Sequence, residues 1–252
     1  MFTDKSSASH QKTSTGRLKL LSGLAAFVCL SFLVSQPIGQ PLDYHQFADQ
    51  RPALDIANAA NVLSNLPFIL VGMLGLVWMR RKPELVSAVR AGYVTFFAGL
   101  ILTGVGSGYY HLAPDNQTLI WDRLAMTVCF AGLVALIIAE RIDPRTGGVA
   151  LPCLLITGVA TVVYWGWVDD LRPYLLFQFG AMLLLPVMIL RTRGPGTRWL
   201  WFALLCYLVA KVTEMTDAHV YDLTDQLISG HSLKHVAASM SGLMIGLKLR
   251  YS

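Results

Sequence analysis

Three of the six histidines, His111, His231 and His235, fall inside or at the edge of apolar segments, where an ionisable ring is costly unless it finds a partner. His231 and His235 are spaced i, i+4 and so share one face of a helix. His111 follows Ser107 by four residues on another apolar segment, and Asp122 opens the segment after that. Three neutral imidazoles with one position left open form the ligand set of a catalytic zinc site. A Zn2+ centre inside a membrane is therefore the leading expectation. Ser232, Leu233 and Lys234 fill the gap between the paired histidines, so the Glu of a His-Glu-x-x-His helix is missing and a general base must come from elsewhere. The chain has no Gly-x-Ser-x-Gly elbow, phosphate-cradling glycine loop or haem-attachment cysteine pair.

Each of these residues also has a plainer reading. Ser107 could bond back to a carbonyl one turn earlier, as Ser does in membrane helices. Asp122 could cap a helix N-terminus. Lys211 and Glu214, at i, i+3 in an apolar run, read as a neutralising ion pair. Gly104, Gly106 and Gly108 read as small residues that let helix backbones approach closely.

The elements that must position these groups follow from composition. At 54% hydrophobic and 14% charged residues, with a mean hydropathy of +0.53, the chain is too apolar for an ordinary soluble domain. About twenty predominantly apolar residues cross a bilayer. Eight such stretches are present, at roughly 20–36, 61–79, 91–112, 122–139, 149–167, 173–190, 199–216 and 232–248. The expected fold is an all-α polytopic membrane protein. Its parts are a tail over 1–19, an extra N-terminal transmembrane helix over 20–36, an extracytoplasmic loop over 37–60 and a single helix-bundle core over 61–252. A retained N-terminal helix is expected over a cleaved signal peptide, because no Ala-x-Ala-like site follows it. Cys29, Cys129, Cys153 and Cys206 all fall within the spans and read as apolar packing residues.

Lysine and arginine collect on cytoplasmic sides of membrane helices. They cluster here before the first span, between the second and third (Arg80, Arg81, Lys82, Arg90), after the fourth and sixth, and at the C-terminus (Lys248, Arg250). Acids such as Asp43, Asp115, Asp169 and Asp217 fill the alternate loops. Both termini are thus expected in the cytoplasm, with His111, Asp122, His231 and His235 together at the extracytoplasmic end of the bundle. The net charge of +5 reflects this bias. No aromatic-interleaved basic patch suits nucleic acid, which is excluded as a partner. The turn-type Pro114-Asp115-Asn116 makes the third and fourth spans antiparallel neighbours and brings Asp122 near His111.

The residues carry a family resemblance. Gly106-Ser107-Gly108-Tyr109-Tyr110-His111 followed by Trp121-Asp122-Arg123-Leu124-Ala125-Met126 resembles the Ser-x-x-x-His and Asp-x-Leu-x-Met signatures of the alkaline ceramidases. Gly230-His231-Ser232-Leu233-Lys234-His235 resembles their C-terminal Gly-His-x-x-x-His, and the run from Ile56 to Pro67 is similar to the start of their first helix. The likeness covers about residues 43 to 250. It implies a seven-helix core related to the progestin and adipoQ receptors, with one extra N-terminal helix here, and hydrolysis of an amide in ceramide or a related N-acyl lipid. It further implies that His111, His231 and His235 ligate Zn2+, with Asp122 and Ser107 beside the bound water. Eukaryotic members also bind Ca2+ through acidic and Asn residues around the first core helix, including a Glu where Asn58 stands here. Asp43, Asp49 and Asp55 could supply oxygens, but their spacing does not reproduce that pattern, so calcium is not carried over. The compact loops and basic bias suit a bacterial inner-membrane protein. Two readings from other classes stand beside this one: a zinc-stabilised receptor or scaffold without turnover, and a proton or ion pathway through Asp122, Glu214, Lys211 and the histidines.

Overall fold

A short 3-10 turn at Leu42–His45 precedes nine α-helices in the computed structural model, which describes residues 34–192 and 194–251 together with 30 and 32. The helices are α1 (Ala59–Leu63), α2 (Leu66–Arg80), α3 (Ser87–Leu112), α4 (Asn116–Arg141), α5 (Pro144–Val168), α6 (Arg172–Arg191), α7 (Thr197–Met215), α8 (Asp217–Leu223) and α9 (Gly230–Tyr251). No strand occurs among the described residues. The expected N-terminal span over 20–36 lies, but for a few residues, outside those described.

Among the described residues, five stretches are long and apolar enough to cross a membrane: residues 59–80, α3, α4, α5 and α6. A sixth is added if α7 and α8, bent by 85° at their junction, count as one span. α9 has the length, at 22 residues, but Lys234, Lys248 and its histidines and serines make it less apolar. Large apolar side chains such as Leu70, Ile156, Leu183 and Leu190 point outward, the arrangement of a bundle whose surroundings are lipid.

α4 starts at Asn116, earlier than its apolar pattern suggests. Asp115 accepts from the Thr118 backbone N–H at 2.7 Å, and its own N–H donates to Thr118 Oγ1 at 3.1 Å, a reciprocal capping box. Asp122 therefore sits in the second turn, and capping is not its role. The closest helix pair is α3 and α4. Gly92, Gly99 and Gly106 recur every seven residues along α3, and a Cβ added at these positions would fall 2.8 Å from Leu136 Cα, 2.7 Å from Cys129 N and 2.6 Å from Trp121 O. The two backbones touch because nothing stands between them. Of the other glycines expected to act this way, Gly104 meets Ile69 at the start of α2, whereas Gly108 has nothing within 4 Å and mediates no approach.

α9 packs chiefly on α7 and α2, which delivers its first turn to the end of α3. Gly230 makes this join possible, since a Cβ there would lie 2.2 Å from Thr213 O. Lys248 departs from the loop position implied by the charge pattern. Its side chain is 1% exposed and its Nζ reaches Glu140 Oε1 at 2.7 Å, Glu140 Oε2 at 2.6 Å and Tyr93 Oη at 2.9 Å. This cluster ties the far end of α9 to α3 and α4.

Candidate metal centre

His111 occupies the last turn of α3, and His231 and His235 the first two turns of α9. All three are buried. Their candidate ligand nitrogens lie within 4.8 Å of one another, with His111 Nε2 3.3 Å from His231 Nε2. The ring centroids form a near-equilateral triangle of 4.9, 4.9 and 5.0 Å. Among the described residues this is the single cluster with metal-site geometry.

Neighbouring residues fix these rings. The Ser64 hydroxyl donates to Asn61 O at 3.0 Å and lies 2.8 Å from His235 Nδ1, so it is free to accept from an Nδ1–H. That tautomer leaves the lone pair of His235 on Nε2, an atom that is buried and has no hydrogen-bond partner. His111 Nδ1 is likewise buried and unpartnered. Asn58 adopts the left-handed conformation (φ 47°), which Asn tolerates, and its amide donates to His111 O at 2.9 Å. That bond satisfies a terminal carbonyl of α3. Orphaned imidazole nitrogens in a dry cluster are costly unless a ligand meets them, and three imidazoles suit a transition-metal ion.

The loop before α1 closes the cluster from outside. Phe47 lies against His111 and His231, with centroids 4.7 and 4.4 Å apart. Asp217 accepts from the His231 N–H at 2.7 Å with one oxygen and from the Ala48 N–H at 2.9 Å with the other, pinning α9 and the loop to the α7–α8 corner. Asn61 donates to Asp49 O at 2.9 Å and accepts from Ser232 Oγ at 2.9 Å. The Asp49 carboxylate is engaged by the Arg51 guanidinium, whose hydrogen bonds hold it below the usual carboxylate range. His45 bridges Tyr110 Oη and Asn116 Oδ1, each at 2.9 Å.

His235 also faces a cavity of about 430 Å³ between α3, α4, α6, α7 and α9. Ser107 and Asp122 line the same space. Deeper in the bundle its walls are apolar, with Phe96, Leu100, Phe130 and Leu133. At the histidine end they become polar. Lys211 and Lys234 share Glu214 there, Lys234 Nζ lying 2.7 Å from Glu214 Oε1 and Lys211 bonding the other oxygen. The expected Lys211–Glu214 pair is thus present, but as part of a three-residue cluster.

Sequence reasoning placed His111, His231, His235 and Asp122 at one level; the three histidines meet at one end of the bundle, and Ser107 and Asp122 line the cavity that His235 faces. It gave no role to Phe47, Asn61, Ser64 or Asp217. Asn61 and Ser64 lie in the run Ile56–Pro67, so family likeness marked the segment without assigning its tasks. Comparison with known proteins adds one match: a family model described as Ceramidase covers residues 53–247. A search of curated proteins finds none.

Proposed function

Because the chain belongs to the ceramidase family of hydrolases acting on amide C–N bonds, we propose that it cleaves ceramide or a related N-acyl lipid inside a membrane at a zinc site held by His111, His231 and His235. The observation that carries this reading is the convergence of three buried imidazoles whose candidate ligand nitrogens lie within 4.8 Å of one another, with the unpartnered Nε2 of His235 beside a cavity that Asp122 and Ser107 also line. Two ligands on a tetrahedral zinc with bonds of about 2.0–2.1 Å lie about 3.3–3.4 Å apart. The His111–His231 separation of 3.3 Å matches that edge.

A zinc ion supplies an acidified water and Lewis-acid polarisation of the amide carbonyl. The rest falls to the chain's own side chains. Asp122 accepts the proton from the attacking water and returns it to the leaving amine nitrogen, a role assigned by its place at the cavity wall beside Ser107. The Ser107 hydroxyl donates to the oxyanion as it develops. The histidines contribute neutral lone pairs; Ser64 holds the His235 ring through Nδ1, and Asp217 anchors the His231 backbone. Phe47 covers the cluster and keeps bulk water off its loop side. The apolar walls take an acyl chain, and the volume suits a small-molecule pocket of about 300–1,000 Å³.

In this reading α2 to α7 and α9 are seven spans, the segment 20–36 is an eighth, and both termini lie in the cytoplasm of a bacterial inner membrane. A cysteine at Gln117 would then react with a membrane-impermeant reagent in intact cells, and one at Glu84 would not. Reversed labelling would put the site on the cytoplasmic face.

The direct test is mass spectrometry of lipids after incubating purified protein with N-acyl sphingoid bases and N-acyl amino lipids, with and without chelator. Free fatty acid and free amine should appear and be suppressed by chelation. No turnover of either class would transfer the site to a zinc-stabilised receptor or scaffold.

A further inference from the structure

Three cations and two anions face the cavity: Arg123, Lys211 and Lys234 against Asp122 and Glu214. Glu214 is shared between the two lysines, so that trio keeps one unbalanced positive charge. Arg123 is 6% exposed and donates to no carboxylate among the described residues. Aromatic rings hold it instead, its guanidinium carbon lying 4.0 Å from the Trp165 ring centroid and 4.9 Å from that of Tyr174. It donates to Gln40 Oε1, and its Nη1 has no partner. An uncompensated charge in a low-dielectric bundle is costly, and a bound counter-ion relieves that cost. Asp122, the other anion, is committed to the proton transfer proposed above.

The surplus charge lies at one level. Arg123 follows Asp122 and Lys234 precedes His235, so both stand beside the proposed reacting amide, while the apolar walls at Leu100 and Leu133 lie two to three turns deeper. An acyl chain in the apolar part leaves the amine half of the substrate among the cations. From this geometry we infer that the preferred substrate is an N-acyl lipid whose amine-side head group carries an oxyanion, a carboxylate or a phosphate, and that Arg123, Lys211 and Lys234 read that charge. The inference rests on the hydrolase reading and names its substrate class.

The experiment compares kcat/KM for two matched pairs in zwitterionic phosphatidylcholine vesicles: N-palmitoylserine with its methyl ester, and ceramide 1-phosphate with ceramide. At least one anionic member should exceed its neutral partner by tenfold or more, mainly through KM, and the preferred pair tells carboxylate from phosphate. Lys211→Gln should cut that ratio severalfold, and Glu214→Gln, which unmasks both lysines, should raise it. A folding defect would not move one ratio in opposite directions. Equal kcat/KM within both pairs would overturn the inference and leave amide hydrolysis standing. If no amide is cleaved, the hydrolase reading fails, and quenching of intrinsic tryptophan fluorescence decides the rest, Trp165 lying against Arg123. Tenfold tighter binding of an anionic member would uphold the anion site, and equal affinities would remove it.

Discussion

Two buried polar clusters, at opposite ends of the helix bundle, are completed differently. At the Lys248 end, Nζ has three acceptors for its three protons, all between 2.6 and 2.9 Å, and both Glu140 oxygens are used. At the histidine end, His111 Nδ1, His235 Nε2 and Arg123 Nη1 are buried without partners. The first is a closed network that fastens α9 to α3 and α4. The second is a network missing a member. A buried polar group says little by itself about function; whether the protein closes the network around it does.

Substitutions at the two ends should separate into different observables. Asp122→Asn preserves size and most hydrogen bonding, so folding and metal content should persist while amide turnover falls by about 10²- to 10⁴-fold. Unfolding in place of inactivation would erase the contrast, and wild-type turnover with metal bound would remove Asp122 as the base. Ser107→Ala should cost less, because one oxyanion donor supplements the proton shuttle without replacing it.

At the other end Glu140→Ala strands the Lys248 ammonium. Thermal unfolding in detergent should reveal a loss of about 3–5 kcal/mol, with turnover per folded molecule unaltered. The double variant Glu140→Leu with Lys248→Met should recover most of that loss, since both charges leave together. Failure of the double variant to recover would mean that the cluster does more than fasten helices.

A smaller effect is expected one layer out from the histidines. Ser64→Ala removes the oxygen facing His235 Nδ1 and should weaken metal affinity about 10- to 100-fold in a chelator competition. An unchanged affinity would show that packing alone holds the ring. The smallest effect belongs to Asp115, an exposed cap. Asp115→Ala should cost about 1 kcal/mol of stability. The Thr118 backbone N–H holds this carboxyl below its ordinary range. Its contribution is therefore present above the unfolded-state pKa and lost as pH falls through the lowered folded-state pKa. A cap loss independent of pH in the acid range would contradict that assignment.

Much of the bundle could be read from the chain alone, because apolar runs, basic loops and short turns carry direct physical constraints. The i, i+4 spacing put His231 and His235 on one face and the Pro114-Asp115-Asn116 turn put Asp122 near His111, but neither required α9 to pack beside α3. What stayed hidden depends on contacts across long sequence distances. Nothing near Asp217 signals that its two oxygens join Ala48 and His231. Phe47 reads as an ordinary loop aromatic until it is seen over two histidines. Lys248 looked like a terminal loop charge because its partner, Glu140, lies more than a hundred residues away. The start of α4 was misplaced because Asn116, Gln117 and Thr118 are polar, so hydropathy missed a turn that the capping box makes helical.

The central claim is that His111, His231 and His235 at the open end hold one metal ion. Elemental analysis of the purified protein tests it most directly. Wild type should contain about one zinc per chain, and His231→Ala and His235→Ala should each lose it while remaining folded enough to purify. Stoichiometric zinc retained in both variants, or none in the wild type after purification without chelator, would contradict the three-histidine site.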